Sequence, residues 1–158
     1  MSGPNTATPN SSEGCAAMDR ATHHDIRPIR PDVASDLWRY QPIAILHEVL
    51  AVYEIADARQ FVESQADVFR ECRRLVIGSF PMDVGPLAFP ATGERTAAGR
   101  LATSAYGLRQ NTDTVYAVHP SGVVLAISVL TYGDAADADV TQDIVAIAYR
   151  KLDALFNE

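Results

Sequence analysis

The sequence predicts an α+β fold: one domain in which an antiparallel β-sheet carries its helices mainly on one face. Three observations point there. Segments 57–72 and 140–156 place apolar residues at three- and four-residue spacing, as amphipathic helices do. Between them the chain alternates apolar and polar residues, broken by Pro and Gly, as hairpins do. Finally, 158 residues with 47% apolar and 21% charged suit a single domain that buries a core without metal or dense cross-links.

The elements follow in order. Residues 1–32 lack a hydrophobic period and end in Ile26-Arg27-Pro28-Ile29-Arg30-Pro31, whose alternate prolines favour extended backbone. A flexible tail or linker is therefore expected over 1–32 and the folded domain over 33–158. Asp32 or Ser35 is placed to cap a short helix over 36–40, ended by Pro42. Residues 43–53 alternate and read as a strand. Asp57-Ala58-Arg59-Gln60 has the spacing of an N-cap box, and Ala58, Phe61, Val62, Gln65, Phe69 and Cys72 follow on one helical face. Leu75-Val76-Ile77 reads as a short buried strand, 81–93 as an irregular loop rich in Pro and Gly, and 100–109 as a weaker strand. Segments 114–119 and 123–131 make the clearest hairpin, with Pro120 and Gly122 fitting a type I turn. The last helix, 140–156, turns Val140, Ile144, Ile147, Ala148, Lys151 or Leu152, and Leu155 inward after a second capping pattern at Asp139-Val140-Thr141-Gln142.

Pairing His119 with Gly122 sets Val118 opposite Val123 and Tyr116 opposite Leu125, so that a bulky face including Ile127 and Val129 packs on the helices. The other face then carries Val115, Ala117, His119, Val124, Ala126 and Ser128, small side chains with a polar rim that leave room for a ligand. Tyr106, Arg109, Tyr116 and His119 fall in the same strand region and suit the polar end of a pocket. The expected binding set is Tyr106, Arg109, Ala117, His119, Ala126 and Ser128.

Other classes are disfavoured. Thirteen Lys and Arg against twenty Asp and Glu give a net charge of −7, which argues against a nucleic-acid partner. No apolar run reaches the roughly 18 residues of a transmembrane helix. There is no nucleophile elbow, phosphate-binding glycine loop, HExxH pair or CxxC, so a non-enzymatic domain without catalytic residues or cofactor is expected. His23-His24-Asp25 has metal-ligand chemistry but no fourth ligand, and reads as exposed linker rather than a metal site. His47 and Glu48 point to opposite sides of their strand and do not pair as base and orienter. Arg70, Arg73 and Arg74 complement the end of the first long helix rather than clamp an anion. Two alternatives stand beside the binding domain. One is a small intracellular enzyme of cyclase or isomerase type, with His119 or His47 as general base. The other is an interaction module that pairs through an open sheet edge.

Cys15 and Cys72 admit two readings: unrelated thiols, one exposed and one packed, or a disulfide tying the tail to the domain in an oxidising compartment. The first residues show neither a basic nor an apolar leader region, consistent with a cytosolic protein or with an exported one whose export segment has been removed. A wider pattern bears on this choice. The strand and alanine-rich helix of 48–72, with Ala56-Asp57-Ala58-Arg59-Gln60-Phe61-Val62 and a final-turn Cys72, resemble the PknH-like extracellular sensor-domain family of bacterial lipoproteins and receptor-kinase ectodomains. Gly122-Val123-Val124-Leu125-Ala126-Ile127-Ser128-Val129 and the helix Asp143-Ile144-Val145-Ala146-Ile147-Ala148-Tyr149-Arg150-Lys151-Leu152 are similar to that family's ending, so the resemblance spans 43–156. It implies a secreted or lipid-anchored extracytoplasmic sensor domain with a cleft for a small molecule or an envelope protein. It also implies a Cys15–Cys72 bridge, although the family's commoner pattern has four cysteines where this chain has two. No ligand contact of the family maps onto these residues.

Overall fold

The computed structural model describes residues 15–23, 26–38, 45–77, 79–105, 107–134 and 138–157. Its helices are α1 (Ala16–His23), α2 (Ile55–Glu71) and α3 (Ala138–Ala154). Its strands are β1 (Arg30–Trp38), β2 (Ile45–Val52), β3 (Arg74–Ile77), β4 (Phe80–Pro86), β5 (Thr96–Ala105), β6 (Leu108–Val118) and β7 (Val123–Tyr132). They form one sheet in the order β1-β2-β7-β6-β5-β4-β3, antiparallel throughout. The α+β class with an antiparallel sheet is thus the fold of this chain.

The path of the chain decides where the faces are covered. β2 and β3 sit far apart in the sheet, so α2, which joins them, crosses one face over β4, β5 and β6. Ala58, Val62, Val68 and Phe69 of α2 pack there on Val84, Ala97, Val118 and Val124, with Cys15 and Ala17 added from the α1 end. Close approach needs a missing side chain: the Phe69 ring fills the space that a Cβ on Gly99 would take. On the opposite face Val145, Ala148 and Leu152 of α3 pack on Val115, Leu125, Ile127 and Val129. Two of the three described helices therefore share a face, and α3 lies against the other.

Several elements depart from the sequence reading. The expected tail contains α1, although Cys15 at its start is bonded to Cys72, the pairing that the family resemblance implies, with a Cα–Cα distance of 5.4 Å. Residues 36–38, expected in a short helix, belong to β1, where pairing with β2 outweighs the local capping signal; 39–40 lie outside the described residues. Much of the expected 81–93 loop is β4, which tolerates Pro81 and Pro86 near its two ends. The weak strand at 100–109 is the β5–β6 hairpin. Neither capping box forms as drawn. Helix α2 starts at Ile55 behind Glu54, which makes no side-chain cap bond, and Asp57 and Asp139 sit inside first turns, where they complement the dipole. Helix α3 buries Ala148 and Leu152 as expected, but it is rotated so that Thr141 and Val145 join them while Val140, Ile147 and Leu155 are exposed.

The hairpin register differs by one residue, for a local reason. His119 donates its N–H to Val123 O (2.9 Å) and accepts from Gly122 N–H (2.9 Å), so three residues, Pro120 to Gly122, form the loop. Gly122 takes φ +89°, the left-handed conformation that closes a type I turn with a bulge. Val118 then pairs with Val124, Ala117 with Leu125, Tyr116 with Ala126 and Val115 with Ile127. The two faces of β7 are as expected, and those of β6 are exchanged.

Candidate functional site

Because α2 lies over β4 to β6, the part of the same face made by β2 and β7 is left partly open. A cleft of about 320 Å³ lies there, lined by Pro28, His47, Val49, Ala51, Tyr53, Phe61, Tyr116, Val124, Ala126 and Ser128. Sheet register arranges this lining in rows. His47 pairs with Ser128 and Ser128 with Thr114, giving a polar rim in which the Ser128 and Thr114 hydroxyls are 3.3 Å apart. The next row is Val49, Ala126 and Tyr116, and the one after it Ala51, Val124 and Val118. Small residues in the middle of these rows make the hollow.

Aromatic rings close the deep end. Tyr53 and Phe61 stack with centroids 5.4 Å apart, and Phe61 meets Tyr116 edge-on at 5.6 Å. Tyr53 is held by its N–H bond to Gly122 O (3.0 Å), so the bulged turn fixes one wall. Pro28 supplies another, anchored through the Ile29 N–H bond to Val52 O at 2.7 Å. The lining holds no carboxylate, lysine or arginine. Burial pushes the Tyr116 phenol above the ordinary tyrosine range, and Tyr53 adds to the shift, so Tyr116 is neutral at physiological pH. The cleft therefore offers flat apolar surface, phenol and hydroxyl hydrogen bonds, and no fixed charge beside the imidazole of His47.

That shift gives a checkable pH dependence. Above the ordinary tyrosine range the unfolded chain releases the Tyr116 proton while the folded protein retains it, so the unfolded state binds fewer protons and stability falls as pH rises. The loss begins near pH 10, the unperturbed tyrosine value, and continues up to the raised folded value. Tyr116→Phe is expected to remove this share of the alkaline destabilisation. Denaturant midpoints of both proteins across the alkaline range would test it; parallel declines would mean that Tyr116 ionises as readily folded as unfolded.

Of the expected binding set, Ala126 and Ser128 line this cleft. Ala117 and His119 do not, since the one-residue register difference turns them to the α3 face. Arg109 lies at the other end of β6, near Asn111 (Nε to Oδ1 3.5 Å), and lines a separate polar cleft with Arg74, Asp83 and Ser104. Tyr106 lies outside the described residues, as do His24 and Asp25. The arginine cluster disperses: Arg70 pairs with Asp67 in the last turn of α2, whereas Arg73 and Arg74 follow the helix. The expected set omitted the β2 wall (His47, Val49, Ala51) and its continuation Tyr53, although their alternation was visible as a strand; nothing local says that this strand joins β7.

His119 is buried in a different role. Its Nδ1 accepts the Ser121 N–H (3.1 Å) and lies 2.7 Å from Ser121 Oγ, which assigns the proton to Nε2, 3.1 Å from Asp153 Oδ1. Its ring stacks on Phe156 with centroids 4.8 Å apart and touches Tyr149. This arrangement fastens the end of α3 to the hairpin turn. His47 is the only histidine of the cleft lining, and its neighbour Glu48 lines a groove on the opposite face.

Fold and site together define an α+β domain with a half-open, mainly apolar cleft between sheet and helix. No protein-family model, curated protein or solved structure matches the chain. No helix among the described residues is long and apolar enough to cross a membrane.

Proposed function

We propose that this chain is a non-enzymatic extracytoplasmic binding domain whose cleft takes a small, flat, uncharged molecule. The observation that carries the reading is the lining itself: a ring-walled hollow of about 320 Å³, with hydroxyls along one rim and no carboxylate, lysine or arginine. Such a lining favours an apolar ring with one hydrogen-bonding group and disfavours anions, which would lose hydration without gaining a counter-charge. The Cys15–Cys72 disulfide supports an oxidising setting, and the resemblance of 43–156 to PknH-like sensor domains points the same way. The buried position of His119, engaged at both ring nitrogens away from the cleft, weighs against its use as a general base.

Titration with phenylnaphthylamine, a flat uncharged fluorophore, tests the proposal. We expect saturable enhancement with wild type, and much less with the anionic anilinonaphthalene sulfonate. Ala126→Phe fills the middle row of the cleft and is expected to abolish the enhancement while leaving the melting temperature near that of wild type. Equal binding by both proteins would place the probe elsewhere and overturn the assignment.

A further inference from the structure

We propose that the outer face of α3 is a self-association surface, on which two copies of the chain pack with their α3 helices antiparallel about Ile147. Exposed apolar side chains concentrate there. Val140 is 38% and Ile147 46% exposed, and Leu155 follows at the end of the helix. Beside Ile147 runs a groove of about 270 Å³ lined by the apolar Leu46, Ile127, Ile144 and Ala148 together with the charged Glu48 and Lys151. This stripe is the face that the sequence pattern directs inward. The fold instead rotates the helix so that Thr141 and Val145 are buried beside Ala148 and Leu152, and leaves Val140, Ile147 and Leu155 without cover among the described residues.

Charge selects the occupant. Asp143, Ile147 and Lys151 recur at four-residue spacing and so form one ridge of the helix. Reversed end to end about Ile147, this ridge is its own complement: Asp143 faces Lys151 of the second copy, Lys151 faces its Asp143, and Ile147 meets Ile147. A parallel arrangement would oppose like charges instead. Neither Asp143 nor Lys151 enters an ion pair with another described residue, so both are available. In the same antiparallel register Val140 faces Ala154, and the exposed Ala146 and Ala154 let the helix axes come within the usual 8–10 Å. A twofold, self-complementary contact of this kind closes at two copies.

Sedimentation equilibrium of the full chain tests the proposal without reference to any cleft ligand. Wild type is expected to show twice the chain mass at about 100 µM. Ile147→Asp is expected to halve that mass. Asp143→Lys should weaken association about tenfold, because it replaces both symmetry-related attractions by repulsions. The double variant Asp143→Lys/Lys151→Asp should restore it. Circular dichroism confirms that each of these surface variants is folded. A wild-type monomer throughout the concentration series would overturn the proposal and leave the stripe to a different partner. Dimers that survive Ile147→Asp, or that the charge exchange fails to restore, would overturn the antiparallel α3 contact.

Discussion

Replacing Arg100 with leucine is expected to lower the unfolding free energy by about 3–5 kcal/mol, the cost typical of stripping one partner from a buried ion pair. Asp113 lies in the middle of β6 with its side chain 2% exposed. Arg100, its neighbour across the β5–β6 ladder, meets it with both prongs, Nε to Oδ1 at 2.5 Å and Nη2 to Oδ2 at 2.8 Å. The fully buried Thr141, in the first turn of α3, donates its hydroxyl to the same carboxylate at 3.1 Å. The hydrogen bond to Asp113 holds the Arg100 guanidinium above its ordinary range despite opposing desolvation, and the Asp113 charge adds to the rise. Leucine at position 100 leaves the carboxylate buried with only one hydroxyl to satisfy it. Arg100→Leu/Asp113→Leu removes the stranded charge and is expected to recover most of the loss. Urea denaturation of wild type, single and double variants closes this cycle. A single variant within about 1 kcal/mol of wild type, the scale of an exposed pair, would mean that water reaches Asp113.

This cluster also explains which parts of the fold were legible in the sequence. α2 and β7 could be read because their signals are local: a three- and four-residue apolar period in one, a sustained alternation in the other. The rotation of α3 could not. Its sequence is apolar on more than one face, and the choice is made by Thr141 reaching Asp113 on β6, a contact across 28 positions. A hint was present, since Asp113 shares strand parity with Val115 and Ala117, both 1% exposed, and a carboxylate on a buried face requires a partner. β1 was missed for a related reason, because its residues gain their conformation from pairing with β2 rather than from local preference. The cleft was half legible. Ala126 and Ser128 followed from the alternation of β7, but the single bulge at Gly122 exchanged Tyr116 for Ala117 and His119. The opposite wall, His47 to Tyr53, depends on β2 joining β7 on the side away from its sequence neighbour β1, which no local pattern encodes.

Removing the disulfide with Cys15→Ala/Cys72→Ala is expected to cost about 4 kcal/mol on the chain-entropy account, since the bond closes a loop between residues 57 apart. The loss should be felt first at α1. Eight residues fall short of the roughly 12–15 that an isolated helix needs in water. Beyond the bond, α1 places Ala17 in the core with Cys72 and packs Met18 and Ala21 partly buried against it, while Arg20 pairs with Glu71 at 2.9 Å where both side chains are about half exposed. An exposed pair of that kind contributes little. The cleft should respond differently, because Pro28 is positioned by the Ile29–Val52 bond and by the β1–β2 ladder rather than by α1. Hydrogen exchange and phenylnaphthylamine titration therefore separate the two regions. The variant should lose amide protection over Ala16–His23, show a lower denaturant midpoint, and keep its probe affinity within about threefold of wild type, less than the tenfold that 1.4 kcal/mol would produce. Retained protection of α1 would show that Ala17 and its neighbours hold the helix without the bond. Loss of probe affinity alongside α1 protection would make the N-terminal helix part of the binding site, so that reduction of one disulfide would also release the ligand.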